Sequence, residues 1–284
     1  MRYFVLLALC LFFAGNSFSQ NYSDKDKVVF NSKMELAEKD NLAEKPINDV
    51  MTTIGRSFIG TPYVAFSLEN DSTETLDVDL TGLDCTTYLE NVLVFGRIIK
   101  KGNPDFDKYC SELQYVRYRD GIIENYTSRL HYFSDWIFEN CKKGIVTDVT
   151  KEIGGEPIAF HVSFMSQNPD KYNHLKKNPR FVSIMKAKED DINKREYYYI
   201  PKDKVSKFED KIHNGDLIAI TTNLPGMDIG HVGVAVKQPD GRIHFMHAPL
   251  SGAKVQISEN PLPEYLAKIK KHTGIIVLRP VEPK

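Results

Sequence analysis

The chain has 284 residues, with 37 lysines and arginines against 38 aspartates and glutamates, which gives a formal net charge of −1. Near-neutrality argues against a nucleic-acid-binding protein, because such proteins usually carry a basic excess or patch. A hydrophobic content of 42% excludes a disordered or collagen-like chain. The length suits one large domain or two small ones.

Residues 1–19 have the pattern of an export signal. Arg2 gives a positive start, an apolar run follows from residue 3 to 15, and small residues lead up to Ser19. The run is too short to span a bilayer, so we expect a cleaved signal peptide and no stable membrane anchor; an anchor or a buried helix is the alternative. Cleavage removes Cys10 and leaves three cysteines, an odd number that predicts at least one free thiol in an exported, periplasmic or extracellular protein.

Helical spacing of apolar residues dominates the first half of the remaining chain. Residues 20–45 are polar and predict a leader whose opening part is flexible, and the remainder, 46–284, is expected to be one domain. Helices are predicted at 46–59, at 84–100 and at 126–140. A charged stretch at 186–195 predicts a solvated helical face.

The C-terminal third predicts consecutive strands. They are expected at 216–220, 231–237, 242–248 and 274–278, and an isolated short strand is expected at 158–160. Helices followed by consecutive strands are typical of an α+β fold with an antiparallel sheet.

The turn between the second and third of these strands decides which side chains share a face. If Pro239-Asp240-Gly241 forms a three-residue loop, Gln238 pairs with Arg242. Odd-numbered residues of both strands then lie on one face, namely His231, Gly233, Ala235, Ile243, Phe245 and His247. This register brings the two histidines close enough to hydrogen-bond, and Gly233 and Ala235 leave room for a helix. A two-residue loop would place the histidines on opposite faces.

Cys85, His231 and His247 are the residues that could carry nucleophilic catalysis. Asp84 predicts an N-cap, which places Cys85 at a helix start, where the helix dipole lowers a thiol pKa. Cys85 would attack a carbonyl carbon, His231 would transfer the proton, and His247 would orient His231. Each residue could instead be a satisfied core residue. No CxxC, HxxxH or HExxH spacing appears, so neither a metal nor another cofactor is expected.

Other residues are weaker candidates for binding a substrate. Tyr63 could donate to an oxyanion together with the backbone N–H of Cys85. Arg129, His131 and Trp136 could line a cleft, although a helix with its aromatic face in the core explains Trp136 equally well. Two further cysteines, Cys110 and Cys141, could form a disulfide or remain buried thiols, and the sequence alone leaves both possibilities open.

Five segments together resemble a known group of proteins. Gly60-Thr61-Pro62-Tyr63, Leu83-Asp84-Cys85-Thr86 and Gly230-His231-Val232-Gly233-Val234 resemble the NlpC-type, papain-like cell-wall hydrolases of bacteria. The segments 129–136 and 245–248 are similar in particular to the N-acetylmuramoyl-L-alanine amidase-like family, first described as domain of unknown function 1460. The resemblance covers roughly residues 58–279.

This resemblance implies a papain-like core in which the helix that carries the cysteine packs on an antiparallel sheet. It implies a catalytic triad of Cys85, His231 and His247, and cleavage of the amide between N-acetylmuramic acid and L-alanine in peptidoglycan fragments. A segment of about 101–205 exceeds the minimal core and implies a large, mostly helical insertion that could wall off the cleft. A soluble muropeptide is then the expected partner of a monomeric enzyme.

One residue departs from the wider superfamily. The superfamily usually has the sequence Asp-Cys-Ser, and its endopeptidases use this Asp and Ser to hold a free peptide N-terminus. Here the sequence is Asp84-Cys85-Thr86, so a threonine replaces the serine. The added methyl of Thr86 favours the amidase over recognition of a free amine. The alternatives are a D-glutamyl-diamino acid endopeptidase with the same triad and a non-catalytic wall-binding protein on the same fold.

Overall fold

The computed structural model describes residues 20–69 and 73–284, so the predicted signal peptide and Cys10 lie outside the described residues. The α-helices are α1 Asp24–Lys39, α2 Ile47–Ser57, α3 Cys85–Lys101, α4 Phe106–Arg117, α5 Phe133–Lys142, α6 Thr150–Ile153, α7 Phe164–Gln167, α8 Asn173–Lys177, α9 Pro179–Ile192, α10 Val205–Phe208 and α11 Leu262–Ala267. The strands are β1 Gln20–Asn21, β2 Leu76–Asp77, β3 Val146–Asp148, β4 Glu156–Ile158, β5 Tyr197–Pro201, β6 Leu217–Thr222, β7 Ile229–Lys237, β8 Ile243–His247, β9 Gln256–Ile257 and β10 His272–Pro280.

One eight-stranded sheet organises the molecule. Its order is β4-β5-β10-β6-β7-β8-β9, β3 pairs with β10, and every pairing is antiparallel. The predicted α+β class with an antiparallel sheet is therefore confirmed. The middle segment 101–205 is mostly helical, as expected, because it contains α4 to α9, and it also supplies β3, β4 and β5 to this sheet.

The helices at 46–59 and 84–100 are confirmed as α2 and α3, whereas the helix predicted at 126–140 is wrong in its first half. A 3₁₀ turn at Tyr126–Ser128 comes first, and α5 begins only at Phe133. The side chain of Asn125 caps the turn by accepting from the backbone N–H of Thr127 at 2.9 Å. Arg129 then adopts an extended backbone, because local side-chain bonds of this kind compete with helix continuation.

The polar segment expected to open as a flexible leader instead forms α1. Its buried residues include Phe30, Lys33 and Ala37, which lie three and four residues apart on one face. The ammonium of Lys33 donates to the carbonyl of Ser57 at 2.9 Å and lies 4.1 Å from the ring centroid of Phe58. The long side chain of Lys33 thus packs α1 onto the end of α2. The polar composition of this segment does not predict such a contact.

We expect Phe30→Ala to lower the free energy of unfolding by about 3–5 kcal/mol, because it removes a buried aromatic ring. Phe30 packs against Phe95 and Tyr109, with ring centroids 5.8 and 5.7 Å apart. Urea unfolding measures the change, and Val28→Ala on the exposed side of α1 is the matched control. Equal stabilities of the two variants would show that α1 is not part of the folded unit.

The hairpin of β7 and β8 has the predicted register. Ala235 pairs with Phe245 and Val236 with His244, as a three-residue loop requires. The N–H of Gln238 donates to the carbonyl of Arg242 at 3.0 Å, and Gly241 occupies the left-handed region at φ 79°. Glycine suits this position because it adopts positive φ without steric cost.

The two faces of the hairpin pack against different layers. Even-numbered residues such as Val234 and Met246 join the core that contains α3, whereas Ala235 and Phe245 join a second core with Leu262 and Leu266 of α11. A Cβ atom on Gly233 would lie 2.8 Å from the Phe245 ring, so that ring occupies the room above the glycine. The helix that carries Cys85 therefore packs on the other face.

Candidate active site

Cys85 is the first residue of α3, and Asp84 caps this helix as predicted. One carboxylate oxygen of Asp84 accepts from the backbone N–H of Thr87 at 2.7 Å, and the backbone N–H of Asp84 donates to the hydroxyl of Thr87 at 2.9 Å. Glu90, one turn further along, accepts from Arg117 at 2.7 Å and from the indole of Trp136 at 3.2 Å. A capping box at one end and a buried carboxylate inside the bundle fix where the thiol sits.

The surroundings of Cys85 favour the neutral thiol. Burial raises its pKa to about 12, with a further increase from the charge of Asp84. The backbone N–H of Val232 and the hydroxyl of Thr86 lower the pKa by hydrogen bonding to the sulfur, but they do not offset the burial. The expectation of a lowered pKa is therefore wrong, since desolvation of the thiolate outweighs the favourable contributions at the helix start.

His231 and His247 form a hydrogen-bonded pair. Nε2 of His231 lies 2.6 Å from Nδ1 of His247, which leaves Nδ1 of His231 for another partner. His247 is almost completely buried. Its ring contacts both Phe245 and Tyr265, with ring centroids 4.7 and 5.2 Å away, and these two rings are themselves 5.4 Å apart. This aromatic cluster restricts the orientation of the imidazole.

Both imidazoles are neutral at pH 7. Burial lowers the pKa of His247 to about 3, and it lowers the pKa of His231 well below its ordinary value, with a smaller contribution from His247. Lys271 adds a positive charge that disfavours protonation of His231. The site thus combines a neutral thiol with two neutral imidazoles.

We expect acidification to destabilise the protein through His247. Its imidazole stays neutral when folded but protonates near pH 6.5 when unfolded, so the unfolded chain binds more protons and stability falls as the pH drops from about 6.5 toward 3. Between pH 6.5 and 4.5, His247 accounts for a loss of about 2 kcal/mol. Urea unfolding of His247→Asn at pH 7 and 4.5 should show a loss that is smaller by this amount. A loss as large as that of wild type, or of the exposed variant His161→Asn, would contradict the prediction.

A cavity of about 180 Å³ is lined by both Cys85 and His231. Its remaining walls come from the start of α3, from the start of β7 and the loop before it, and from the middle segment: Thr86, Leu130, His131, Tyr132, Phe133, Phe164, Met165, Tyr172, Met227, Asp228, Ile229, Gly230 and Val232. The middle segment thus closes one side of the cavity with mainly apolar and aromatic side chains.

Two of the predicted substrate-binding residues, Thr86 and His131, line this cavity, and Tyr63 lies near it. His131 shares a 2.8 Å hydrogen bond with the carbonyl of Tyr126, and burial lowers its pKa well below its ordinary value. Burial also raises the pKa of Tyr63, and the charges of Cys85 and Asp84 raise it further. Tyr63 therefore lies within electrostatic reach of the thiol.

Arg129 and Trp136 lie outside the lining of the cavity. Arg129 is buried, and its guanidinium is 2.6 Å from Glu69 and 3.3 Å from Glu74. Trp136 is completely buried and stacks on Phe133 with ring centroids 4.8 Å apart. In the structure Arg129 holds the acidic loop through its ion pairs with Glu69 and Glu74, and Trp136 supports the Phe133 ring in the cavity wall.

Two residues of the site escaped the sequence analysis. Asp228 lies three residues before His231 and is buried; its carboxylate accepts from the backbone N–H of Ser134 at 2.7 Å and joins the loop before β7 to α5. Tyr265 of α11 packs on His247. The only signal for Asp228 is an acidic residue directly before an apolar strand, and Tyr265 gives none, because its helix is six residues long.

The described cysteines, Cys85, Cys110 and Cys141, are all free thiols. The possible disulfide between Cys110 and Cys141 is therefore not formed in the structure. Within residues 20–69 and 73–284, no three His, Cys, Asp or Glu side chains cluster as metal ligands would. In the same part of the chain, no helix combines the length and apolarity needed to cross a bilayer.

Residues 53–275 match a family model described as AmiA-like, N-acetylmuramoyl-L-alanine amidase-like. No curated protein matches the chain. The match spans α3, the β7–β8 hairpin and the whole lining of the cavity.

Solved structures of similar proteins agree with this fold. An N-acetylmuramoyl-L-alanine amidase from Bacteroides uniformis is 37% identical, with a TM-score of 0.78 over 82% of this chain and 98% of its own. A Bacteroides fragilis protein, provisionally described as a xylanase, is 39% identical, with a TM-score of 0.76 over 79% of this chain and 98% of its own. A Legionella pneumophila protein of the DUF1460 family shares the fold at 22% identity, with a TM-score of 0.69 over 92% of this chain and 97% of its own.

Proposed function

We propose, because the chain belongs to the N-acetylmuramoyl-L-alanine amidase-like family, that it is a cysteine hydrolase that cleaves the amide between N-acetylmuramic acid and L-alanine. The observation that carries this proposal is the cavity that Cys85 and His231 both line, with His247 bonded behind His231. A nucleophile, a base and a residue that orients the base are the parts that covalent amide hydrolysis needs.

The neutral resting state favours a step in which proton transfer accompanies attack. As Sγ of Cys85 forms a bond to the carbonyl carbon, Nδ1 of His231 takes the thiol proton, because Nε2 is already bonded to His247. His231 then returns this proton to the leaving nitrogen of L-alanine, and a water molecule hydrolyses the thioester. The backbone N–H of Cys85 and the hydroxyl of Tyr63 are the donors we assign to the oxyanion.

The cavity suits a single linkage of a muropeptide. At about 180 Å³ it is smaller than the usual ligand pocket, and Phe164, Met165 and Tyr172 of the middle segment close one side. We infer that the reacting amide enters at the end of a soluble peptidoglycan fragment, since this wall leaves little room for a long glycan strand.

The lining argues against glycoside hydrolysis. Most glycosidases use two carboxylates on either side of the bond, and Asp228 is the one carboxylate among the described lining residues. The Asp228 carboxylate is already bonded to the backbone of α5. The lining of the cavity therefore favours amide hydrolysis over glycoside hydrolysis.

The remaining parts of the proposal concern architecture and location. We propose that α3 and the sheet from β6 to β8 form an NlpC-type papain-like core, which is supported by a cysteine at the start of a helix that packs on antiparallel strands. We also propose that residues 1–19 direct export to the periplasm or beyond, where peptidoglycan fragments occur, and that the enzyme acts as a monomer.

Mass spectrometry of products from a defined disaccharide-peptide tests the function. The expected products are a free sugar acid and a peptide that begins with L-alanine, and alkylation of thiols should abolish their formation while a chelator leaves it intact. Release of a dipeptide would indicate the D-glutamyl-diamino acid endopeptidase instead. Binding without any cleavage would indicate the non-catalytic wall-binding protein, and inhibition by the chelator would indicate a metal enzyme.

A further inference from the structure

One ring nitrogen of His247 takes no part in the hydrogen bond to His231. Its Nδ1 bonds to Nε2 of His231, while its Nε2 is buried without a hydrogen-bond partner among residues 20–69 and 73–284. A buried polar atom in this condition costs free energy and calls for an explanation.

The proton shared by the two imidazoles decides whether His231 can act as a base. If Nε2 of His231 carries it, Nδ1 of His231 is unprotonated and can accept the thiol proton. His247 then accepts at Nδ1 and must carry its own proton on Nε2. The reverse arrangement places a proton on Nδ1 of His231 and removes the base. The competent arrangement therefore requires an acceptor for the buried Nε2–H of His247.

His272, the first residue of β10, offers such an acceptor. It is buried, and its Nδ1 is another ring nitrogen without a partner in the described part of the chain. Both imidazoles pack on the ring of Tyr265, with centroids 5.2 Å from His247 and 6.1 Å from His272. Burial keeps His272 neutral by lowering its pKa to about 4, and its charged form would disfavour protonation of His247.

We infer that His272 is a positioning residue whose Nδ1 accepts, through one bridging water molecule, the hydrogen bond of the His247 Nε2–H, and so selects the tautomer in which His231 is the base. This inference rests on the proposed cysteine mechanism. The titratable groups next to the two imidazoles are His231 on β7 and Tyr265 on α11, with Lys271 and Lys202 beside His272. Tyr265 in turn interacts electrostatically with Cys85 on α3.

Two substitutions separate positioning from support of the fold. His272→Leu removes the acceptor, whereas the amide oxygen of His272→Asn can take the place of Nδ1. We expect His272→Leu to lower kcat on a disaccharide-tripeptide by about tenfold or more with KM within about twofold, because the competent tautomer loses its partner. His272→Asn should restore most of the rate.

His244→Leu is the matched control. His244 is buried on β8 but on the opposite face from His247, and its ring nitrogens are bonded to Ser258 and Asp240. It should lower the melting temperature and leave kcat unchanged. Equal losses of kcat in the His244 and His272 variants at equal loss of stability would assign His272 to structure alone and overturn the inference.

A tautomer measurement on the wild-type protein needs neither a folded variant nor a known substrate. Nitrogen-15 NMR of histidine-labelled protein, assigned with His247→Gln, should show His247 protonated on Nε2. His272→Leu, where it folds, should depopulate this form. Protonation of His247 on Nδ1, or a tautomer that His272→Leu leaves unchanged, overturns the inference.

The two proposals fail separately. If wild type cleaves the muropeptide but His247 is protonated on Nδ1, the proposed function stands and the role of His272 falls. If the muropeptide is not cleaved but the tautomer follows His272, the role of His272 in holding the pair stands and the substrate assignment falls.

Discussion

Cys85→Ala is expected to abolish amide hydrolysis, with a loss in kcat of at least about 10³-fold, because no other group can form the thioester. The start of α3 should survive the change, since the cap is made by Asp84 and Thr87 and not by the thiol. Mass spectrometry of muropeptide products gives the rate, and circular dichroism checks the fold.

Cys141→Ala is the matched control for the nucleophile. Cys141 on α5 is also a free thiol whose pKa burial raises, to about 11, but it lies outside the lining of the cavity. The control should retain full activity. Substantial hydrolysis by Cys85→Ala would remove Cys85 from the mechanism and require a different nucleophile.

His231→Gln is expected to lower kcat by about 10²- to 10⁴-fold, because the thiol then has no base to take its proton. With a pKa raised to about 12 by burial, Cys85 does not ionise by itself at neutral pH. Alkylation of Cys85, followed by mass spectrometry of its peptide, should therefore be slow at pH 7 in the variant and accelerate toward alkaline pH.

The exposed histidine His161 provides the control for this second substitution. His161→Gln should match wild type in both kcat and the pH dependence of alkylation. If His231→Gln retained the wild-type alkylation profile, the imidazole would not be coupled to the thiol, and the shared cavity would be a coincidence of packing.

Sequence rules that act over a few residues predicted much of the candidate site. The cap at Asp84 placed Cys85, and the loop Pro239-Asp240-Gly241 placed His247 beside His231, because both rules act over a few residues. These rules could not predict the raised pKa of the Cys85 thiol, because its desolvation depends on residues from distant segments that pack around it. Tyr265 and His272 were missed for the same reason: only the packing of α11 and β10 brings them to His247.

In the fold, too, some elements were predicted from short-range sequence patterns and others were missed. Strand alternation in the last third predicted β6, β7, β8 and β10, whereas α1 was hidden because Lys33 and its charged neighbours disguise a buried face. In the segment 126–140, helical spacing was correct for α5, but Asn125 capped a separate turn before it. Side-chain bonds to the backbone, rather than apolar periodicity, set that boundary.

The turn at Pro239-Asp240-Gly241 has a further consequence for sequence change. Surface hairpin loops ordinarily accept insertions and deletions, because they alter no buried contact. Here the loop length decides which residues of β7 and β8 pair. If one residue were inserted or deleted in the loop and β8 shifted by one position relative to β7, His247 would lie on the opposite face of the sheet. On the proposed mechanism, gain of a single codon at this turn would therefore abolish hydrolysis, although the gene would still encode Cys85, His231 and His247.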